Sequence, residues 1–501
     1  MRRIALCRAP LQACSRRFIP AAFGLILAAA PPAAGRPLDQ ENAAATPAAR
    51  WRSLFGGKDL SGWDVYIAAP PGGKEPLGLN NDPLRVFTRV EVDGAPAIRV
   101  SGEVYGAITT VDSFNDFHVR LEVKWGEKRW PPRRDVARDS GILYACYGPH
   151  GAGSGAWMRS VECNIMEKGI GQWWSVAGAV IDVEGRRVTP AMEASVPYKK
   201  EGPGESIILY ERGAPRIAAT AADGITPSFD SEKPRGEWNT VEVVFWAGNC
   251  IHILNGKVNL VLTRPRYVEG DKVTPLLSGK IQLQSEGAEC FYRKIEIRPI
   301  SSLAPELMEL VPSYQDGEEG FRPILGKGSG AAAADGWAQC GPGSFTVADG
   351  VATGEGGMGL WWFKKELLGN FVLRGEFLQE EEKADSGIFV RFPNPGADPW
   401  NAVRQGHEME IGDSMPEKPT WRTGSIYPFQ AAQLGSTRPA GQWNDYEIVC
   451  IGHHYSVRLN GRLVTTWTDP GERSLSGYIG IQNYNDGKTV RHRNLRVKVI
   501  P

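Results

Sequence analysis

The two halves of this chain contain the same short segments in the same order. Residues 139–144 (DSGILY), 162–167 (ECNIME), 236–239 (GEWN), 254–257 (LNGK) and 279–284 (GKIQLQ) match residues 385–390 (DSGIFV), 408–413 (EMEIGD), 441–444 (GQWN), 459–462 (LNGR) and 477–482 (GYIGIQ). A repeat of about 200 residues is too long for one unit of a solenoid. The sequence therefore predicts a duplicated domain, with copies at 51–300 and 312–501 joined by a linker at 301–311.

Apolar residues alternate with polar ones in both copies, as at Phe117, Val119, Leu121 and Val123 and again at Tyr446, Ile448 and Cys450. This period of two is typical of antiparallel strands with one wet face. Asn255-Gly256 and Asn460-Gly461 are hairpin-turn signals. Helical periodicity is nearly absent outside residues 304–311. The sequence predicts an all-β fold of two jelly-roll β-sandwiches in tandem.

The first copy carries about forty extra residues between Asp182 and Arg235. This segment is rich in glycine, proline and other small residues, which predicts a long loop. Long loops are often functional because a rigid scaffold positions them at the surface.

The first 34 residues are predicted to be a secretory signal peptide. They hold five arginines and no acid, followed by an apolar run from Phe18 to Ala30. That run is too short for a membrane span, which needs about 20 residues, and no later run is longer. We therefore expect no membrane span and an exported protein, periplasmic or extracellular. Residues 15–19 (SRRFI) partly match a twin-arginine signal, which leaves the export route open, and residues 35–50 are predicted to be a flexible leader.

Charge and cysteine content limit the partners and cofactors. The chain has 57 basic and 57 acidic residues, so it lacks the basic excess that nucleic acid binding exploits. Six cysteines follow the predicted signal peptide; disulfides are allowed in an exported protein, and buried free thiols are the alternative. The histidines do not cluster with cysteines at zinc spacing, so we expect no cofactor, although a divalent metal held by carboxylates stays compatible with the sequence. The oligomeric state is unconstrained.

Acidic residues recur at the same place in both copies. Residues two apart in a strand share a face, so Glu408 and Glu410 are predicted to point the same way, as are Glu162 and Asn164. The acids at 167 and 413 lie five residues further on and join that face only past a bulge or a strand end. Two carboxylates across a sugar ring could serve as general acid and base. Solvated acids on an exposed strand face are the plainer alternative.

Aromatic side chains surround the acids of the first copy. Flat rings with apolar faces suit stacking on pyranose rings, and Tyr144, Trp173 and Trp174 are candidates for such contacts. The two tryptophans lie on loop-like sequence, which favours a ligand contact over core packing. Gln284 is mirrored by Gln482, whereas Glu286 has a tyrosine at the matching position 484.

Several segments, in order, resemble the 3-keto-disaccharide hydrolase domain family over nearly the whole chain, twice. Residues 53–63 (SLFGGKDLSGW) resemble the family's opening, 139–144 its Asn-Ser-Gly strand with Asp for Asn, 159–167 its acidic strand and 284–287 (QSEG) its penultimate turn. The second copy departs more, because its opening is eroded around Gly336-Trp337 and residues 482–485 (QNYN) replace the QSEG turn. The resemblance implies a concanavalin-like jelly roll and action on glycosides oxidised to a ketone at C3.

The resemblance also suggests roles for individual residues. Glu162 and Glu167 are the leading acid/base candidates in the first copy, and Glu408 and Asp413 are those in the second. Candidate substrate-binding or polarising residues are Arg159, Trp173, Trp174, Tyr144, Gln284, Glu286, Glu410, Arg391 and Gln482. We expect an exported carbohydrate-active hydrolase that works by elimination and hydration, with either copy active. The alternatives are a tandem pair of non-catalytic, lectin-like carbohydrate-binding modules and an adhesion or scaffold role.

Overall fold

The structure is a computed structural model that describes residues 50–196, 206–270, 272–312, 317–413, 415, 417–484 and 488–500. The predicted signal peptide and nearly all of the predicted leader lie outside these residues. Both predictions, and the predicted domain boundaries, therefore stay predictions.

Strands dominate the first half of the described chain. Their bounds are β1 Arg52–Ser53, β2 Trp63–Ile67, β3 Gly78–Leu79, β4 Phe87–Val92, β5 Ala95–Val100, β6 Gly106–Thr110, β7 Phe117–Arg129, β8 Asp139–Tyr147, β9 Arg159–Met166, β10 Trp173–Val176, β11 Ala179–Arg187, β12 Ser206–Tyr210, β13 Arg216–Ala219, β14 Asp223–Thr226, β15 Asn239–Trp246, β16 Asn249–Leu254, β17 Lys257–Glu269, β18 Lys272–Pro275, β19 Lys280–Ser285 and β20 Ala288–Pro299. A 3₁₀ turn covers Pro190–Ser195, and a short helix, α1, covers Pro305–Met308 in the predicted linker.

The second half is built in the same way. Its strands are β21 Arg322–Pro323, β22 Trp337–Cys340, β23 Ser344–Ala348, β24 Val351–Glu355, β25 Gly359–Leu368, β26 Phe371–Gln379, β27 Ser386–Phe392, β28 His407–Ile411, β29 Ile426–Tyr427, β30 Asn444–Ile451, β31 His454–Leu459, β32 Arg462–Thr468, β33 Gly477–Asn483 and β34 Val490–Val499. Helix α2 covers Trp400–Gln405, and 3₁₀ turns cover Gly330–Ala332 and Pro419–Trp421. The prediction of an all-β fold with two jelly-roll β-sandwiches in tandem is confirmed.

Each sandwich packs two antiparallel sheets around its own apolar core. In the first, the sheet β3-β2-β6-β19-β8-β9-β10 is called the site sheet, and β4-β5-β20-β7-β15-β16-β17-β11-β13 is called the support sheet. In the second, β22-β25-β33-β27-β28-β29 is the site sheet and β23-β24-β34-β26-β30-β31-β32 is the support sheet. The same kinds of strand therefore occupy corresponding places in both halves.

The alternation seen in the sequence corresponds to burial. Phe117, Val119, Leu121 and Val123 of β7 are buried in the first core, while the residues between them are partly exposed. The predicted hairpin turns are also present, because Asn255 has φ 51° and Gly256 has φ 79°, with the same pattern at residues 460 and 461. Both residues of such a turn need positive φ, which asparagine and glycine tolerate best.

The extra residues of the first copy are not one long loop, so that prediction is wrong for the described part of the segment. Strands β12, β13 and β14 form there, and Ile207, Ile208 and Ile225 on them are buried. Strand β12 pairs with β11 of the support sheet and runs parallel to β14, which pairs with β10 of the site sheet. The three strands, called the insert, join the two sheets beside β10 because their apolar side chains are buried between other elements.

The two sandwiches meet through a buried contact. Trp246, Leu303, Met308 and Leu463 belong to one apolar cluster that includes strand β15, the segment around α1 and strand β32. Beside it, Asp116 of the first sandwich pairs with Nε2 of His454 at 2.5 Å and accepts a hydrogen bond from the Thr468 hydroxyl at 3.2 Å. Trp246 Nε1 donates to the same hydroxyl at 3.0 Å. The described residues accordingly belong to one compact unit.

All six cysteines within the described residues are free and buried. Of the two alternatives left open by the sequence, the structure therefore shows buried thiols. No helix among the described residues has the length and hydropathy to cross a membrane.

Candidate functional site

A cavity of about 210 Å³ opens on the face of the first site sheet that points away from the core. It is called the cleft, and its lining residues are Arg133, Asp139, Gly153, Ser154, Trp157, Glu162, Asn164, Met166, Trp174, Ser175, Val176, Ala177, Gln284 and Glu286. Strands β8, β9, β10 and β19 supply most of the polar groups. Four of the predicted site residues therefore converge: Glu162, Trp174, Gln284 and Glu286.

The alternation of β9 explains why its polar residues reach the cleft. Glu162 and Asn164 point into the cleft, whereas Val161, Cys163 and Ile165 point into the core. The predicted shared face of Glu162 and Asn164 is confirmed. One register step in this strand would exchange the two sets, so burial of the apolar set fixes the position of the acid.

A glycine in the neighbouring strand makes room for the acid. An ideal Cβ on Gly141 would lie 2.7 Å from Oε1 of Glu162 and closer still to Oε1 of Gln284. A side chain at this position would displace both groups. The glycine of the repeated Asp-Ser-Gly segment thus lets two long polar side chains lie side by side over β8.

The carboxyl group of Glu162 is buried, with only 5% of the residue exposed. Loss of solvation raises its pKa well above the usual value of 4.5, and the nearby negative charge of Glu286 raises the pKa further. A hydrogen bond from Gln284 and the positive charge of Arg133 oppose this shift. Glu162 therefore keeps its proton to a higher pH than an ordinary glutamic acid and is suited to donate it.

Arg133 connects the other charged groups of the cleft. Its Nη2 pairs with Asp139 and lies 3.5 Å from Oε1 of Glu286. Arg133 also bonds the hydroxyl of Tyr105, and burial together with the charge of Glu286 raises the pKa of that hydroxyl to about 12. The cleft thus holds a paired carboxylate at Glu286 beside a carboxyl group at Glu162 with a raised pKa, and such a difference can separate acid and base roles.

Two tryptophans form the walls of the cleft. Trp157 stacks on Tyr105 with 5.7 Å between ring centroids, and its Nε1 donates to the carbonyl of Gly106 at 3.1 Å. Trp174 lies across from Gly224 of the insert, and an ideal Cβ there would be 2.6 Å from the indole. The insert therefore holds Trp174 in place, with part of its ring open to the cleft.

Four other predicted site residues of the first copy lie outside the cleft. Glu167 follows the end of β9 and pairs with Arg138 at 2.9 Å, so it does not join Glu162. Arg159, the first residue of β9, pairs with Glu269 at 2.6 Å and does not line the cleft. Tyr144 lies in the core and bonds His252 at 2.8 Å. The expectations of a ligand contact at Tyr144 and at Arg159 are not met by these positions.

Trp173 needs a separate correction, because its surroundings were predicted to be a loop. Residues 173–176 form β10, and Trp173 is 0% exposed in the core. Adjacent residues of a strand point to opposite faces, so only one of the two tryptophans can face the cleft. The core position of Trp173 follows from that alternation.

The second sandwich places its predicted residues in a corresponding arrangement. Glu408 and Glu410 lie on one face of β28, as predicted, and both are buried. Burial raises the pKa of each carboxyl group well above 4.5, with further contributions from the charge of Asp385 and, for Glu410, of Glu408. Asp413 follows the end of β28 and accepts a hydrogen bond from the Thr423 hydroxyl at 2.8 Å.

Arg391 of the second sandwich is structural rather than exposed to a ligand. Its side chain is fully buried and donates to the carbonyls of Gly369 and Gly452 and to the Tyr455 hydroxyl. Gln482 lies on β33, the strand that corresponds to β19. Its side chain is on the face opposite Ile481, which is in the core.

Arg133, Asp139 and Trp157 line the cleft but were not among the predicted site residues. Asp139 is the first residue of the repeated segment 139–144, and Trp157 is one of the aromatic residues close to the acids of the first copy in sequence. Arg133 lies in the basic stretch before β8 (residues 131–138, PPRRDVAR), and this stretch is the sequence feature from which a cation near the acids could be predicted. Within the described residues no group of three or more histidine, cysteine or acidic side chains is arranged to hold a metal ion.

We expect replacement of each of the two adjacent tryptophans by alanine to have a different effect on the free energy of unfolding. Trp173→Ala should lower the free energy of unfolding by about 3–5 kcal/mol, because it leaves a large core cavity. Trp174→Ala should lower it by much less, because this indole is only partly buried and faces the cleft. Denaturant unfolding of both variants checks this. Equal losses of stability in the two variants would contradict the assignment of Trp174 to the cleft.

Comparison with known families gives a match over most of the chain. The family model of the 3-keto-alpha-glucoside-1,2-lyase-like domain matches residues 50–298 and 324–498. The two segments fall on the two sandwiches. Among curated proteins, "Probable dipeptidyl-aminopeptidase B" of Tuber melanosporum is 26% identical over 227 residues. That match covers 43% of this chain and 22% of the relative, so the chain spans about a fifth of the relative's length.

Solved structures give weaker likenesses. A provisionally assigned glycosyl hydrolase from Parabacteroides distasonis ATCC 8503 is 23% identical, with a TM-score of 0.31, over 36% of this chain and 99% of that chain. The carbohydrate-binding module CBM66 from Bacillus subtilis is 11% identical, with a TM-score of 0.25, over 32% of this chain and 95% of that chain. At such TM-scores these likenesses assign neither activity nor ligand to this chain.

Proposed function

This chain belongs to the 3-keto-alpha-glucoside-1,2-lyase-like family, and from that premise we propose that its first sandwich cleaves glycosides whose C3 hydroxyl has been oxidised to a ketone. The family membership makes the protein a carbohydrate-active one. The single observation that carries the finer proposal is the position of Glu162, with its raised pKa, beside the Arg133–Glu286 ion pair in one cleft. The cleft, at about 210 Å³, has room for a single pyranose ring.

The ketone changes which bond is easiest to break. It makes the hydrogen on C2 acidic, because the electron pair left behind spreads onto the C3 oxygen. Glu286 removes that proton as a carboxylate, and Arg133 stabilises the negative charge that develops on the C3 oxygen. The electron pair then forms the C1–C2 double bond as the bond from C1 to the leaving oxygen breaks.

Glu162 completes the elimination by donating its proton to the leaving oxygen. Hydration runs the same two groups in reverse: the Glu162 carboxylate takes a proton from water as its oxygen adds to C1, and Glu286 returns its proton to C2. Glu286 takes the place of Glu167 in this scheme, because Glu167 is bound to Arg138 outside the cleft. Trp157 and Trp174 supply apolar faces for the ring.

The choice between this route and ordinary glycoside hydrolysis depends on the C2 hydrogen. We expect purified protein to cleave a 3-keto-glucoside and to leave the matching unoxidised glucoside intact. Deuterium at C2 should slow the cleavage, because the bond to that hydrogen breaks in the elimination. Chromatography of the products measures the rate of cleavage of each sugar and checks this. Cleavage of the unoxidised glucoside at an equal rate would contradict the proposal, since ordinary hydrolysis passes through an oxocarbenium-like state without loss of the C2 hydrogen.

The localisation expected from the sequence belongs to the proposal as well. The activity is placed outside the cytoplasm, because the first 34 residues have the pattern of an export signal. Binding of glycans without any product would favour the alternative, a pair of lectin-like modules.

A further inference from the structure

The site sheet of the second sandwich keeps one half of the residue set found at the cleft of the first sandwich and differs in the other half. The shared half consists of a glycine, an acid, a glutamine and an aromatic ring: Gly141, Glu162, Gln284 and Trp174 in the first sandwich, and Gly387, Glu408, Gln482 and Tyr427 in the second. Glu408 pairs directly with Tyr427 between β28 and β29. The register of β9 and β10 likewise places Trp174 across from Glu162.

The local packing around the acid is also the same. An ideal Cβ on Gly387 would overlap Oε1 of Glu408, as one on Gly141 would crowd Oε1 of Glu162. Exposure is matched too, because Glu408 is 4% exposed and Glu162 is 5% exposed. The second acid is therefore about as deeply buried as the one that lines the cleft.

Independent of the acids, the second sandwich has a buried acceptor without a partner. Oε1 of Gln482 is buried and has no hydrogen-bond partner among the described residues, and the residue is 8% exposed. By strand alternation its side chain lies on the same face as Glu408 and Glu410. Oε1 of Gln284, which lines the cleft, is in the same state. A buried acceptor left without a donor costs free energy, so each glutamine is prepared for a donor from a ligand.

The half that differs is the charged half. Position 484 holds tyrosine where the first sandwich has Glu286, the group to which we assign removal of the C2 proton. Among the described residues no arginine or lysine forms an ion pair with Glu408 or Glu410, whereas Arg133 pairs with two acids of the first sandwich. The second sandwich thus keeps the residues that hold a ring and has no counterpart of the base Glu286 at the matching position.

We propose that the second sandwich carries a separate binding site for a neutral sugar ring, formed by Glu408, Gln482 and Tyr427, which holds the ring without cleaving it. The choice of a sugar as ligand rests on the proposed function of the first sandwich. The unpaired acceptors take hydrogen bonds from ring hydroxyls, and the Tyr427 ring stacks on the apolar face of the sugar. Burial and the charge of Asp385 raise the pKa of both Glu408 and Glu410, so these groups are suited to a neutral ligand.

The test counts bound ligand on the full chain. Equilibrium dialysis with radiolabelled methyl α-glucoside should give two ligands per chain at saturation for the unmodified protein. Gln482→Leu and Tyr427→Ala should each weaken binding at one of the two sites and leave the other unchanged, and Trp174→Ala should weaken only the other site, by roughly 2- to 13-fold for the lost ring stacking. Gln339→Leu, at an exposed position outside both sites, is the matched control and should keep both. Thermal unfolding shows whether each variant is folded. Because two independent variants change the second site, one variant that fails to fold does not decide the result.

One ligand per chain in the unmodified protein, bound more weakly in Trp174→Ala and unaffected by Gln482→Leu and Tyr427→Ala, would overturn the inference. Turnover of a 3-keto-glucoside is measured in parallel and tests the first sandwich alone. Turnover with a single bound ligand would leave the proposed function standing and remove the second site. Two bound ligands without turnover would do the reverse.

Discussion

Glu162→Gln should lower kcat for a 3-keto-glucoside by about 10²–10⁴-fold, the range that a positioned general acid contributes. The amide has the shape of the carboxyl group and can keep a contact with Gln284, so the cleft should stay formed. What it cannot do is donate a proton to the leaving oxygen. Steady-state rates of product release, with denaturant unfolding to show that the variant is folded, measure the effect.

The pH profile adds a second reading of the same variant. Because the pKa of Glu162 is raised well above 4.5, its acid form persists to a higher pH than that of an ordinary glutamic acid, and kcat of the unmodified protein should fall as the pH rises through that raised value. The glutamine variant should lack this fall. Glu242→Gln, a partly buried acid paired with His118 on the support sheet, is the control and should keep both rate and profile. Loss of turnover in Glu408→Gln, with Glu162→Gln fully active, would move the chemistry to the second sandwich.

Arg133→Met should lower kcat by about 10²–10³-fold, the usual cost of removing one group that stabilises a developing oxyanion. Methionine keeps the length of the aliphatic chain and removes the charge that pairs with Asp139 and Glu286. The C3 oxygen then develops its charge without a cation. Glu286 also loses the cation that lies 3.5 Å from its Oε1.

Arg120→Met is the matched control for this prediction. Arg120 pairs with Glu296 at 2.8 Å and lies over the Trp51 ring on the support sheet, outside the cleft. Its loss should leave kcat unchanged. Equal rates in Arg133→Met and the unmodified protein would remove Arg133 from the scheme and leave the stabilisation of the C3 oxygen unassigned.

The architecture could be predicted from the sequence because it depends on a short-range pattern. Alternation along β7 and the Asn-Gly turns at 255 and 460 follow from local geometry, and duplication doubles the signal. The shared face of Glu162 and Asn164 follows from the same period of two. These features need no knowledge of which strands become neighbours.

The site was predicted less completely because it depends on long-range neighbours. Glu167 resembled a partner for Glu162 in sequence, yet it lies past the end of β9 and bonds Arg138. Trp173 and Trp174 were treated as equivalent, although alternation allowed only one of them into the cleft. Glu286 reaches Glu162 through pairing of β19 with β8, across more than a hundred residues. Composition gave no sign that the insert would form strands.

The contact between the sandwiches restricts how this protein can be divided. A fragment that ended before α1 would leave the indole of Trp246 facing water, with the buried Asp116 deprived of its imidazole and hydroxyl donors. A fragment that began after α1 would expose Leu463 in the same way. A duplication can start from a domain that is stable alone. In the present protein, however, each half covers apolar surface of the other. Either half moved into a new protein would therefore expose that surface.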